Sequence, residues 1–325
     1  MNYDIIGDIH GHADALKAIL ADMGYRETNG AWRQPDHQAI FVGDFIDRGP
    51  KQVETVNVVR RMVDTGTAQA VMGNHEFNAI GWFMPDPDQP GEYLRRHHSA
   101  RYGEKNYRQH KAFLDEVSGT PRHKEIIDWF LTLPLWLDLN EIRVVHACWH
   151  SDYMNYLTDK GTPLLAVGNR LTEELMASAS REPSDEAEKD TPAPSIFKAV
   201  EALTKGIEIP LPKPHTFKDK DGTERDRVRV RWWDAEAISY RQTAMVDDGT
   251  RDEFPDQMIP EHVRIGHDGG KPTFFGHYWL TGTPGLRSDK VACVDYSIGK
   301  GGKLVAYRWA GEPTLDHKQF HWVGK

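Results

Sequence analysis

Between Tyr3 and Met72 the chain alternates short apolar runs with stretches whose apolar positions recur at helical spacing. Residues 3–6 read as a strand, and Ala13, Leu16, Ile19, Leu20 and Met23 then mark one face of a helix. Residues 38–42 predict a second strand, apolar enough for a sheet covered on both sides. Pro50 is placed to open a helix whose buried side carries Val53, Val56, Val59 and Val63. Residues 68–72 predict a third strand, stopped at Gly73. This βαβαβ order implies right-handed crossovers and a site at the carboxyl ends of the strands.

The pattern changes between about 78 and 120. Arg95, Arg96, Arg101, Lys105, Arg108 and Lys111 come close together, with Tyr93, Tyr102 and Tyr107 between them and Glu92 and Glu104 opposing. The stretch reads as a solvated helical face with ion pairs, the alternative being a cationic funnel for an anionic substrate. A helix near 124–133 leads through Pro134 into a strand at 142–145. Residues 151–260 read as an insertion: a helical stretch at 164–178, an acidic linker at 182–190, a Pro-rich segment at 209–214, and a hairpin turning at Asp221-Gly222 with 227–233 as its second arm. Strands resume at 273–276, 291–295 and 304–309. The expected organisation is a layered α/β core of residues 1–150 and 261–325, with 151–260 inserted as a cap.

Composition narrows the class. With 325 residues, 39% of them hydrophobic and 27% charged, the chain has the make-up of an ordinary globular protein. No apolar run is long enough to span a bilayer, so no membrane association is expected. A net charge of -9 speaks against stable nucleic-acid binding. Cys148 and Cys293 do not make a disulfide framework, and no basic leader precedes the first strand. Both point to a reducing, cytoplasmic setting.

The chemistry lies in the loops. GDIHG (7–11), GDFIDRG (43–49), GNHE (73–76), VVHA (144–147) and FFGH (274–277) each place Asp, Asn or His just after an apolar run. Oxygen and imidazole donors gathered from strand-end loops are how a hard or borderline dimetal site is built. Phosphate-ester hydrolysis needs activated water, an offset for charge on the phosphoryl oxygens and a proton for the leaving oxygen. Two cations roughly 3.5–4 Å apart serve the first two needs, and a carboxylate is their natural bridge. The candidate donors are Asp8 and His10 on one loop, Asp44 on the next, and Asn74, His146 and His277 on three others. His150 is a rival to His146, and His12 reads as a helix-start residue. Cys148 and Cys293 read as buried small hydrophobes, and Trp232 and Trp233 as packing between cap and core.

The ordered set GD-x-HG, GD-x-x-DRG, GNHE, His-Ala and Gly-His resembles the calcineurin-like metallophosphoesterases. The DRG is similar to the phosphoprotein phosphatase branch, which holds Ser/Thr phosphatases and bacterial symmetrical diadenosine tetraphosphatases. The resemblance implies a sandwich of two mixed β-sheets flanked by helices. It implies two divalent metal ions, manganese first with iron or zinc as alternatives. Asp8 and His10 would bind one metal, Asp44 would bridge, and Asn74, His146 and His277 would hold the other. His75 would be the general acid oriented by Asp47, and Arg48 would clamp the phosphoryl group. Arg229 or Arg231 would supply a second phosphate-binding arginine, and Tyr296 is a further substrate-side candidate. The implied reaction is direct attack by metal-activated water on a phosphate monoester or phosphoanhydride, without a phosphoenzyme. The substrate would be a phosphorylated small molecule, a nucleotide or a phosphoprotein. Symmetrical dinucleoside tetraphosphate hydrolysis and RNA or DNA end dephosphorylation stand as alternatives to protein dephosphorylation, and a non-catalytic metal-binding module is the remote one.

Overall fold

The computed structural model describes residues 1–159, 165–181, 185–218 and 222–324. Two mixed sheets form its centre. In the larger, the spatial order is Asp295–Tyr296, Lys303–Trp309, Asn2–Ile6, His37–Phe41 and Ala68–Ala70, with Phe320–Gly324 also paired to Lys303–Trp309. Asn2–Ile6 runs parallel to His37–Phe41 and antiparallel to Lys303–Trp309. In the smaller, Val291–Cys293, Thr273–Phe275, Arg143–Val145 and Trp136–Asp138 lie side by side, the last pair antiparallel and the others parallel. The chain passes from the smaller sheet to the larger across the single residue Val294. The two-sheet α/β arrangement is thus the one expected.

Parallel neighbours need crossovers, and two amphipathic helices supply them. Ala13–Asp22 buries Ala13, Leu16, Ile19 and Leu20, and Gln52–Asp64 buries Val53, Val56, Val59 and Met62. Met62 rather than Val63 completes that second face; Val63 is half-buried. Both sheets deliver their strand ends, and the loops after them, to one rim of the fold.

Outside the sheets the outcome differs more from expectation. The helix Asn74–Phe83 runs through residue 78, and Gly103–Val117 forms a second helix. In the basic stretch, three of the six cations have these partners: Arg108 meets Glu104 at 2.7 Å, Lys111 meets Asp115 at 2.6 Å, and Arg95 turns inward to Asn78 Oδ1 at 3.0 Å. Within 151–260 the structure adds helices at Ser151–Thr158 and Ile196–Lys205, and the expected helical stretch narrows to Glu173–Ser180. Leu164, residues 182–184 of the linker and Asp221 of the turn lie outside the described residues. The hairpin partner of Phe217–Lys218 is Glu224–Arg225. The Arg227–Arg229 strand pairs instead with Glu208–Pro210, because Val228 buries against Ile209 and Leu211 in a small apolar cluster. Trp232 and Trp233 pack on Phe275, and the Trp232 indole N–H donates to the Ala147 carbonyl at 2.9 Å. These indoles therefore fasten the segment to a motif-bearing strand end.

Candidate active site

The rim loops carry unusual backbone strain. Among the described residues nine non-glycine positions have positive φ, and seven of them (His10, Asp44, Asp47, Arg48, His277, Trp279 and Ser297) belong to the strand-end loops. Such conformations cost free energy and persist where surrounding structure fixes them, as at sites that aim side chains inward. Gly276 is needed for a different reason: a Cβ there would overlap Asp8 Oδ1.

Asp44 stands at the centre. Ligand atoms of His10, Asp44 and His75 lie within 4.8 Å of one another, and so do those of Asp44, His146 and His277, all buried. Asn74 Oδ1 sits 3.2 Å from His146 Nε2 and 2.8 Å from His277 Nδ1. His10 Nδ1 faces the Ile46 carbonyl at 3.0 Å and His146 Nδ1 the Val42 carbonyl at 2.6 Å. Each bond leaves the other ring nitrogen turned toward Asp44, an outer arrangement typical of metal-binding histidines. Asp8 lies outside both three-residue clusters but joins their rim, its Oδ2 accepting the His277 backbone N–H at 3.1 Å.

Several of these atoms have nothing to bond. Asp8 Oδ1, Asp44 Oδ2 and His277 Nε2 are buried without a hydrogen-bond partner. Orphaned carboxylate and imidazole atoms are costly in an interior unless something binds them. Their chemistry, hard oxygen with borderline nitrogen, fits divalent manganese, iron or zinc. The electrostatics agree with a site built for positive charge. Burial, and then the nearby Asp295 carboxylate, hold Asp8 well above the usual carboxylate range. Burial opposes the ionisation of Asp44 too, but His146 and His75 outweigh it and hold Asp44 low. His146, despite its burial, is pushed up to about 10 by Asp44. His10 falls to about 3 through burial and the adjacent His75, and His277 falls through burial and the charge of Arg229.

Beside the clusters, His75 Nδ1 lies 2.5 Å from Asp47 Oδ2, and Arg48 Nη2 lies 3.5 Å from His75 Nε2. The Arg48 guanidinium is stacked 3.7 Å from the centre of the Trp279 ring. Arg229 reaches the same neighbourhood, over the Tyr278 ring at 5.6 Å. Arg231 does not: it bonds the Gln242 carbonyl and lies 3.7 Å from Asp234, because the strand ends at Arg229 and the chain turns away. Tyr296 is also turned away, its buried hydroxyl accepting the Gly285 N–H at 2.8 Å. His150 caps the Ser151–Thr158 helix, and Cys148 is buried with its thiol pushed up by that burial.

Three further residues escaped the sequence reading. Glu76 accepts backbone N–H groups of Asp44, Phe45 and Gly73 at 2.8, 2.8 and 3.1 Å. Asp295 accepts from Trp279 at 2.7 Å and Ser297 at 2.9 Å. His110 reaches Asp47 from the Gly103–Val117 helix. Only Glu76 had a signal, a Glu at the third position of a helix, where it can return to the helix start.

A sequence profile described as calcineurin-like phosphoesterase matches residues 1–190. A bis(5'-nucleosyl)-tetraphosphatase PrpE [asymmetrical] of Oceanobacillus iheyensis is 30% identical over 161 residues, 49% of this chain and 60% of the relative. The protein of the same name from Halalkalibacterium halodurans is 43% identical over 76 residues, 23% of this chain and 31% of its own. The chain thus spans less than two thirds of either relative. A solved protein serine/threonine phosphatase from Saccharomyces cerevisiae superposes with a TM-score of 0.45 at 14% identity, covering 100% of this chain and 79% of that one. The profile takes in more than half of the sequence, including four of the five motif loops that meet around Asp44, and the chain belongs to the calcineurin-like phosphoesterases.

Proposed function

We propose that this chain hydrolyses a phosphoanhydride in a dinucleoside tetraphosphate. One observation carries the reading: a single buried carboxylate, Asp44, is shared by two clusters of metal-type donors beside a His–Asp pair and an arginine. Asp8, His10 and Asp44 would hold one divalent ion, and Asp44, Asn74, His146 and His277 the other, with manganese the first choice. Bound there, the two ions would lower the pKa of water and offset phosphoryl charge. The remaining work belongs to side chains. Arg48, held flat against Trp279, offers its planar fork to phosphoryl oxygens. Arg229, paired with Glu208 at 2.9 Å, is a second cation whose charge reaches His277. His75, its Nδ1 committed to Asp47, presents Nε2 to the leaving oxygen and hands it a proton. Neither cysteine is placed to be a nucleophile, since both are buried with thiols shifted up. Two free thiols suit a reducing, cytoplasmic compartment.

The substrate class comes from the names of the matched relatives and is tested directly. The manganese-treated protein is given diadenosine tetraphosphate and, separately, a phosphopeptide, and products are resolved by chromatography. Turnover of the nucleotide well above that of the peptide is expected. ATP with AMP would make the cleavage asymmetrical, and ADP alone symmetrical. Faster phosphate release from the peptide, or turnover of neither, overturns the substrate assignment.

Metal uptake should depend on pH. His146 is raised to about 10, so it carries a proton at neutral pH in the metal-free chain, and a cation must displace that proton. Affinity for Mn²⁺ is therefore expected to rise about tenfold from pH 7 to pH 8 through this group alone. Calorimetric titrations at both values would show it; equal affinities would contradict the His146 assignment.

A further inference from the structure

We infer that His110 is a positioning residue for proton delivery, donating from Nδ1 to the same Asp47 oxygen that binds His75 and so fixing the carboxylate on which the proton donor depends. The inference rests on the reading of His75 as general acid.

Asp47 Oδ2 lies 2.5 Å from His75 Nδ1 and 2.8 Å from His110 Nδ1, and all three side chains are buried. His110 comes from the middle of the Gly103–Val117 helix, far in sequence from every motif loop. Its other ring nitrogen, Nε2, is buried with no hydrogen-bond partner. That asymmetry settles where its proton sits. A proton on Nε2 would bury an N–H without an acceptor and turn the Nδ1 lone pair toward a carboxylate oxygen. A doubly protonated ring would bury the same unsatisfied N–H. The neutral ring with hydrogen on Nδ1 is the state the surroundings allow. Burial, acting against the pull of Asp47 and helped by Arg95 and His75, likewise lowers its affinity for a second proton.

A neutral, fixed donor does two things for Asp47. It pins a carboxylate carried on left-handed backbone, at φ 74°, which the Gln52 side chain otherwise holds only through the Asp47 backbone N–H. It also shares the oxygen that His75 uses, so the orientation of the His75 ring depends on the same carboxylate that His110 holds. Packing alone does not call for an imidazole here. The ring sits beside Trp82 at 6.3 Å, where an apolar side chain would bury no bare nitrogen.

The test compares full-length protein and three variants, each loaded with Mn²⁺, on phosphate esters running from activated aryl to poorly leaving alkyl groups. His75→Asn is the reference and should lose roughly 100-fold or more on poor leaving groups and much less on activated ones. His110→Leu should repeat that pattern at roughly 10–100-fold on the poor leaving groups, the range seen when a supporting hydrogen bond is removed. His110→Asn, whose amide can donate from near the Nδ1 position, should restore most of the loss. If His75→Asn shows no leaving-group dependence, the general-acid reading fails. If it does, and His110→Leu loses nothing or loses equally on every ester, the inference about His110 fails alone. Independently of any variant, ¹⁵N NMR of the histidine rings in Zn²⁺-loaded wild-type protein should find His110 protonated at Nδ1; protonation at Nε2 overturns the proposal.

Discussion

Asp44→Asn is expected to weaken Mn²⁺ binding at both positions together and to lower kcat/KM by more than about 100-fold. Loss of a supporting partner around a metal costs roughly 10–100-fold, and Asp44 is more than a supporting group. Its carboxylate belongs to both donor clusters, with Oδ1 3.4 Å from His146 Nε2 and Oδ2 3.8 Å from both His10 and His75. Asparagine is nearly isosteric and can still accept the His75 backbone N–H that Asp44 Oδ1 receives at 3.0 Å. The metal-free variant should therefore keep its fold, which separates lost chemistry from lost structure. Metal titration followed by circular dichroism decides the matter. A variant that bound one ion with undiminished affinity would show that Asp44 is not shared.

Glu76→Gln is expected to destabilise the metal-free protein by about 3 kcal/mol, a large share of a typical folding free energy. Three backbone N–H groups converge on this carboxylate, two on Oε2 and one on Oε1. An amide has one oxygen. Whichever way it is turned, its NH₂ meets at least one backbone donor head-on in a dry interior. Two of the three N–H groups belong to Asp44 and Phe45, so the change also loosens the left-handed turn that aims Asp44. Burial, with Asp44 close by, already lifts Glu76 to about 7, so the wild-type arrangement stores a cost at this point. Urea unfolding of both proteins measures the difference, and a change below about 1 kcal/mol would mean that the loop holds itself without Glu76.

What the sequence disclosed here follows from what each residue says locally. An Asp, Asn or His just after an apolar run announces a strand-end loop and a candidate donor at once, so Asp8, His10, Asp44, Asn74, His146 and His277, which the fold brings close together, could be named together. The parallel strands of the larger sheet were equally legible, since their apolar runs are short and the intervening helices amphipathic. Phe320–Gly324 was not read: its alternation spans five residues, and its partner, Lys303–Trp309, is itself held by the first strand of the chain. His110 was hidden in a basic, tyrosine-rich helix whose neighbours form surface ion pairs, and only the turn of that helix shows that it faces inward. Asp295 sits within an apolar run, and only the fold brings it near enough to Asp8 to help raise it. Arg231 looked equivalent to Arg229 because two positions share a side in an extended strand. The strand stops at Arg229, and the equivalence stops with it.

The place of Lys303–Trp309 between Asn2–Ile6 and Phe320–Gly324 bears on how the protein is made. On a translating ribosome the first strand emerges well before its partner, and the strand that covers its open edge follows about 300 residues later. His277 leaves the tunnel long after His10, by roughly ten seconds to a minute at ordinary synthesis rates. Through that interval the nascent chain exposes an unpaired strand edge, and the side-chain clusters around Asp44 are incomplete. A stalled or prematurely released fragment would thus carry the GDIHG and GNHE loops but could not assemble the second cluster. The second cluster would close in one step, once His277 has joined Asp44 and His146.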